Sequence, residues 1–232
     1  MRSWTTTNGT RIFLVCSGRS NVYLVANETA SFLVDAGMFA AAPLVTHGVA
    51  RTGAPAPSYL VLTHTHFDHA GATASLRRRF NLKTIVCDHD VKFLGCGDSP
   101  FPEGNTRAIR ALMAVIRRPG ELMMQYPPAV TDIPVRGRLD MGPLGFDGTE
   151  VIHTPGHSMG SVSVVVDKEI AMVGDTLYGL ALRSVMPPLV DEPIKLFFSL
   201  CALRDTGARL YLPGHGPAIP RERLEKLIDE LS

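Results

Sequence analysis

The chain has no run of about 20 uncharged apolar residues, so no segment reads as a membrane-spanning helix. It has no surplus of charge either. Its 23 Lys and Arg stand against 22 Asp and Glu, a formal net charge of +1. A chain so balanced sets up no general field to draw in nucleic acid. Cysteine is scarce, and Cys16, Cys87, Cys96 and Cys201 are scattered without CxxC spacing, so they read as free thiols. Met1 to Gly9 hold no apolar signal core, and the cytoplasm is the expected compartment. Linkers, low-complexity segments and short-period repeats are absent too. What the chain has in quantity is apolar side chains, 45% of 232 residues, enough to bury one sizeable core. A single domain over 1–232 is the expectation.

Against this plain background stands His64-Thr65-His66-Phe67-Asp68-His69, four potential metal ligands in six positions. It follows the apolar run Tyr59-Leu60-Val61-Leu62, which reads as a buried strand. The cluster therefore sits where a strand ends and a loop begins, a rigid support for functional side chains. Imidazole nitrogens and carboxylate oxygens suit zinc, iron or manganese. Three further segments share the order of apolar run, turn residues and ligand. His157 lies in Thr154-Pro155-Gly156-His157-Ser158 after Val151-Ile152, and Asp175 lies in Val173-Gly174-Asp175-Thr176 after Ile170-Ala171-Met172. His215 lies in Pro213-Gly214-His215-Gly216 after Leu210-Tyr211-Leu212. One such turn would be weak grounds for a site; four in one chain make a constellation.

These residues, with the early Val34-Asp35-Ala36-Gly37, resemble the metallo-β-lactamase superfamily of metal-dependent hydrolases, from about Arg11 to the last helix. The resemblance implies an α+β fold, a four-layer αβ/βα sandwich of two mixed β-sheets with helices outside. It implies two divalent metal ions per chain, zinc in the first place with iron or manganese as alternatives. His64, His66 and His157 would hold one ion, Asp68, His69 and His215 the second, and Asp175 would bridge them. The bridging Asp175 looks more like the glyoxalase II and lactonase branches than many true β-lactamases. The chain after it lacks the Gly-Cys-Gly-Arg segment of glyoxalase II and persulfide dioxygenases, and a long C-terminal helical domain is not expected.

Strand and helix patterns alternate along the chain. Ile12–Cys16, Val22–Val25 and Ser31–Val34 read as short strands joined by polar turns. Phe39 to Val49 reads as a helix interrupted early by Pro43, and Ala70 to Arg79 as a helix behind the ligand loop. Later strands are expected at Thr84–Cys87, Val130–Val135, Thr149–Ile152, Ser161–Val166, Ile170–Val173 and Arg209–Leu212. Arg221 to Leu231 carries Leu224, Leu227, Ile228 and Leu231 on one side, an amphipathic closing helix. About sixty residues between Asp88 and Thr149 exceed what a simple connection needs. They hold a helical pattern over 106–118, inside an insertion at about 96–130. It reads either as core helix with a solvated basic face or as a lid, whose Leu122, Met123, Met124 and Tyr126 would pack over an apolar part of a substrate. Leu177 to Pro188 is a second candidate wall.

The expected chemistry follows from the ligands. Two divalent cations lower the pKa of a shared water toward neutrality, and one polarises a carbonyl, so no serine or cysteine nucleophile is needed. The resulting function is a binuclear hydrolase that uses a bridging hydroxide to cleave an ester, thioester, lactone or amide bond of a small molecule. An iron-dependent oxidoreductase of persulfide dioxygenase type, or a metallo-β-lactamase proper, are the alternatives. Neither nucleic acid nor membrane is an expected partner, and oligomeric state is left open. Asp68 is the candidate catalytic proton shuttle. Tyr178, three residues after Asp175, resembles a lactonase tyrosine that touches the substrate carbonyl, with packing as the other reading. Asp35 is either an orienter of a histidine ligand or a plain turn residue. His47, His89 and His153 read as structural.

Overall fold

Asn21–Ala26 and Ser31–Val34 in one sheet and Val162–Val166 and Ile170–Gly174 in the other are buried at every position, so both faces of each sheet need cover. The computed structural model describes residues 1–101, 124–180 and 184–232. The first sheet orders β1 (Ser3–Thr5), β2 (Arg11–Ser17), β3 (Asn21–Ala26), β4 (Ser31–Val34), β5 (Pro57–Val61), β6 (Lys83–Cys87) and β7 (Ile133–Val135) side by side. Its first four strands are antiparallel and β4 through β7 run parallel. The second sheet orders β13 (Ile219–Pro220), β12 (Leu210–Pro213), β11 (Ile170–Gly174), β10 (Val162–Val166), β9 (Thr149–His153) and β8 (Arg138–Asp140).

Three apolar layers separate the four structural layers. Between the sheets, Ile12, Val25, Phe32, Val61 and Ile85 meet Val151, Val164, Ile170, Met172 and Leu212. Phe32 and Phe146 close this layer edge to face, with centroids 4.7 Å apart. The outer face of the first sheet is covered by α1 (Ala42–Ala50), α3 (Thr73–Phe80) and α4 (Val91–Cys96) through Val45, Val49, Leu76 and Leu94. The outer face of the second is covered by α5 (Pro193–Asp205) and α6 (Arg221–Leu231) through Leu196, Leu200, Leu203, Leu224, Leu227 and Ile228. This is the α+β sandwich that the family resemblance implied. Among the described residues no helix is long and apolar enough to cross a membrane.

Local differences from the sequence reading have local causes. Pro43 does not interrupt the helix but stands in the first turn of α1, where a missing N–H costs nothing. The helix expected from Ala70 to Arg79 is two pieces, α2 (Phe67–Ala70) and α3, so Asp68 and His69 are themselves helical. The strand expected over Val130–Val135 is only Ile133–Val135, and Val130 is exposed. The helical pattern over 106–118, with Leu122 and Met123, lies outside the described residues.

The topology places the candidate ligands. In the second sheet β9 and β10, then β10 and β11, are antiparallel, while β11 and β12 are parallel. Hence β9, β11 and β12 point the same way and end at one edge. His157, Asp175 and His215 follow those three ends, and His64 follows β5 in the facing sheet.

Candidate metal centre

Seven side chains from four separate segments meet at this edge. Three sets have ligand atoms all within 4.8 Å of one another: His64, His66 and His157; His64, His69 and Asp175; and Asp68, His69 and His215. Every member is buried or nearly so. His66 Nδ1 stands 2.9 Å from His64 Nε2 and 3.0 Å from His157 Nε2. On the other side, Asp175 Oδ1 is 3.3 Å from His69 Nε2 and Asp175 Oδ2 is 3.3 Å from His215 Nε2. Asp175 Oδ2 also lies 3.8 Å from His157 Nε2, so this carboxylate stands between the two groups.

The outward nitrogens fix which way the rings present their lone pairs. Asp35 Oδ1 accepts from the Thr63 N–H at 2.8 Å and Asp35 accepts the Thr63 hydroxyl proton as well. With its proton committed to a carboxylate, Thr63 Oγ1 can only accept from His64 Nδ1, 3.1 Å away. That assigns His64 the tautomer with the Nε2 lone pair facing inward. His157 Nδ1 donates to the Leu189 carbonyl at 2.8 Å, with the same result. His69 Nδ1 donates to Asp35 Oδ2 at 2.8 Å. Asp35 is thus the orienter of two sites at once, and its left-handed backbone (φ 63°) is held by its own amide bond to Val61.

This network suits a cation and serves a proton poorly. Only one proton, on His66 Nδ1, is left to serve both inward-facing neighbours, whereas a metal ion would engage all three lone pairs. His66 Nε2 and Asp175 Oδ1 are buried with no hydrogen-bond partner among the described residues; the 3.3 Å approach of His69 to the latter is an ion pair without hydrogen-bond geometry. Burial, reinforced by neighbouring imidazoles, pushes His64 and His66 well below the ordinary histidine value, into the neutral form that ligates metals. Burial also opposes charge on His69, but Asp175 and Asp35 outweigh it and hold that imidazole well above its ordinary value. Asp175 is the counterpart: burial disfavours its charge, yet His69 and His215 hold it well below the carboxylate range.

Two glycines make the approach possible. A Cβ on Gly214 would fall 2.4 Å from both Asp175 Oδ1 and His69 Cε1. Gly174 adopts φ 49°, and a Cβ there would meet Thr63 Oγ1 at 2.5 Å. Both turns are the short Gly-ligand turns read from the sequence.

A cavity of about 510 Å³ opens above the cluster. His66, Asp68, His157, Asp175 and His215 form its floor, and Phe67, Met124, Leu180, Pro188 and Leu189 give it apolar walls, with Arg19 and Tyr178 at the sides. Leu177 itself is buried in the core, so only part of the expected 177–188 wall faces the cavity, with 181–183 outside the described residues. Tyr178 stacks obliquely on His215, centroids 5.2 Å apart. Burial, with Asp175 and Asp68 nearby, raises its phenol above the ordinary value and keeps the hydroxyl protonated.

Several contributors have roles that the sequence does not show. Tyr126, read as a possible lid residue, is buried and its hydroxyl donates to the Thr65 carbonyl at 3.1 Å. Asp90 accepts from the Thr65 N–H at 2.9 Å. The peptide between His64 and His66 is therefore clamped from both sides. Asp90 also packs on the loop that carries His157, where a Cβ on Gly160 would lie 2.0 Å from Asp90 Oδ1. Burial pushes the Asp90 carboxyl up to about 6 against the pull of its Thr65 bond. Arg19 and Ser20 come from the β2–β3 turn, and Ser20 Oγ donates to the Asp68 carbonyl. His153 is a half-buried β9 residue whose Nε2 donates to the Met159 carbonyl at 2.8 Å and whose ring stacks on His89. His47 and His89 are exposed, and among the described residues none of these three joins a metal-holding group.

Known proteins resemble this chain in sequence and in fold. A probable metallo-hydrolase of Methanocaldococcus jannaschii is 28% identical over 203 residues, covering 85% of this chain and 87% of the relative. The acyl-coenzyme A thioesterase MBLAC2 of Bos taurus is 28% identical over 240 residues, covering 93% of this chain and 79% of the relative. The fold matches that of the B3 metallo-β-lactamase BLEG-1 with a TM-score of 0.70 at 23% identity, covering 96% of this chain and 99% of the other. The model of the metallo-β-lactamase superfamily matches residues 17–218, and the chain belongs to that family.

Proposed function

We propose that this chain is a metal-dependent hydrolase that cleaves an ester, thioester, lactone or amide bond of a small molecule at a two-metal centre. The observation that carries the reading is the convergence of seven donor side chains from four strand ends into overlapping ligand groups. His64 Nε2, His66 Nδ1 and His157 Nε2 would hold one ion, and Asp68, His69 Nε2 and His215 Nε2 a second, with Asp175 between them. Zinc fits this nitrogen and oxygen set best. Bound there, divalent ions supply Lewis acidity toward a carbonyl and hydroxide near neutral pH.

The chain's own groups do the rest. Asp68, 3.5 Å from His215 Nε2 and on the cavity floor, would take a proton from the attacking water and return it to the leaving group. The protonated Tyr178 hydroxyl is a donor for the substrate oxygen that gains charge. Asp35 keeps His69 in one orientation, and the apolar walls exclude water around the bond to be cleaved. A thioester is the first bond to try, because one relative is named an acyl-coenzyme A thioesterase.

The test is a panel of esters, thioesters, lactones and β-lactams presented to metal-replete protein. Hydrolysis of at least one class that stops on chelation and in His66→Ala is expected. Metal-dependent oxygen uptake on a persulfide with no hydrolysis would replace this reading with the oxidoreductase one. Salt-sensitive RNA cleavage that is lost in His64→Ala would overturn the small-molecule assignment.

A further inference from the structure

Among the described residues that line the cavity, Arg19 is the one lysine or arginine. It is not a loose surface side chain. Its guanidinium carbon lies over the Phe67 ring, 5.0 Å from the centroid. The next residue, Ser20, is tied to the Asp68 carbonyl, and the Gly18 N–H bonds the Ser20 carbonyl at 3.1 Å. The turn is thus pinned to the ligand loop, and the guanidinium rests on the Phe67 ring beside the cavity. Its Nε stands 3.5 Å from Asp68 Oδ2, longer than a good charge-assisted hydrogen bond, and the side chain is 61% exposed. Asp68 Oδ2 divides its charge with His215 at the same distance. Among the described residues the two Nη groups are committed to no hydrogen bond, so the planar fork is open to the cavity mouth.

We propose that Arg19 recognises an anion, and that the substrate is an acyl compound carrying a carboxylate or phosphate group close to the bond that is cleaved. The proposal rests on the hydrolase reading of the site. The place of Arg19 beside Asp68 sets the separation: the anion sits within a few bonds of the carbonyl that reaches the floor. The remainder of the substrate meets Met124, Leu180, Pro188 and Leu189, so it is apolar. An arginine fork suits carboxylate and phosphate alike, and the anion can belong to the acyl part or to the leaving group.

Four thioesters separate these sources: butanoyl and succinyl groups, each on N-acetylcysteamine and on 2-mercaptoethyl phosphate. With metal-replete enzyme, Arg19→Ala is expected to lower kcat/KM by roughly tenfold or more on the charged members while the neutral butanoyl N-acetylcysteamine ester falls less than threefold. Arg19→Lys should restore part of the loss. Loss confined to the succinyl pair places the anion on the acyl side, and loss confined to the phosphate pair places it on the leaving group. An equal fall on all four members would mean that Arg19 merely supports Asp68, and would overturn the proposal. If the wild type cleaves none of them, it is the thioester assignment that has failed. Calorimetric titration with monomethyl succinate then decides the role of Arg19. Binding at least tenfold weaker in Arg19→Ala upholds it, and equal binding, or none by the wild type, overturns it.

Discussion

The two halves of the centre are built on different physical principles. The half around His64, His66 and His157 is deeply buried, with burial pushing His64 and His66 toward the neutral form, and it is held by uncharged partners: the Thr63 hydroxyl, the Leu189 carbonyl and a Thr65 peptide fixed between Tyr126 and Asp90. The half around Asp68, His69 and His215 is charged. Arg19, Asp35 and Asp175 press on it, and its Asp68 and His215 reach the cavity. In the first half the lone pairs of His64 and His157 each have one permitted direction. The second is poised by opposing charges that a bound ion would rebalance. On the proposed function, holding an ion and handling protons would be divided between neighbours a few ångströms apart.

Breaking the neutral half should have the largest effect. His66→Ala removes the ring nitrogen that both neighbours face, and turnover is expected to fall to background with loss of at least one ion, measured by assay and elemental analysis together. Asp68→Asn attacks the charged half alone. Asn keeps the size and one oxygen but carries no proton at neutral pH, so turnover should fall roughly 10²-fold or more. The three-histidine half should keep its ion, which is the sharper part of that expectation. Full turnover in Asp68→Asn would remove the proton role assigned to it.

The halves should also separate by pH. Protons compete with metal at any ligand, and His69 holds its proton well above the ordinary value whereas His64 and His66 resist protonation. As pH falls from about 8 toward 6, the ion in the charged half should be lost to a chelator first. Simultaneous loss would contradict the division.

A smaller effect is expected at the clamp. Asp90→Asn keeps an acceptor for the Thr65 N–H but removes a buried charge. The folded-state value of about 6 lies above the unfolded carboxylate value. Wild-type stability should therefore fall as pH rises from about 4 through 6, on the order of 3 kcal/mol in total, and the variant should lack this slope in a series of melting curves. Tyr178→Phe is the mildest change, deleting one hydroxyl. A fall on lactones but not on simple esters would assign the phenol to the substrate carbonyl, and no change on either would leave it a packing residue against His215.

Legibility in the sequence followed the range of each interaction. His64 to His69 are contiguous, and His157, Asp175 and His215 repeat one pattern of strand end, glycine and ligand, so the structure brings together all seven residues singled out. Asp35 had two readings in the sequence, and only the tertiary fold shows its carboxylate between Thr63 and His69. Asp90, Tyr126 and Arg19 act through backbone groups or ring faces of residues far along the chain, and no spacing announces such contacts. The same holds for the Leu189 carbonyl, which carries no residue signature at all. In the fold, α5 escaped the sequence reading because exposed Ile194 and Phe198 blur the stripe of Leu196, Leu200 and Leu203. β1, β8 and β13 are two or three residues long, too short to display alternation.

The central claim is that two complete ligand sets share one bridging carboxylate. Elemental analysis of the protein purified under metal-replete conditions tests it most directly. Two divalent ions per chain are predicted, falling to one in Asp68→Asn. A single ion per chain in the metal-replete wild type, unchanged by that substitution, would contradict the account.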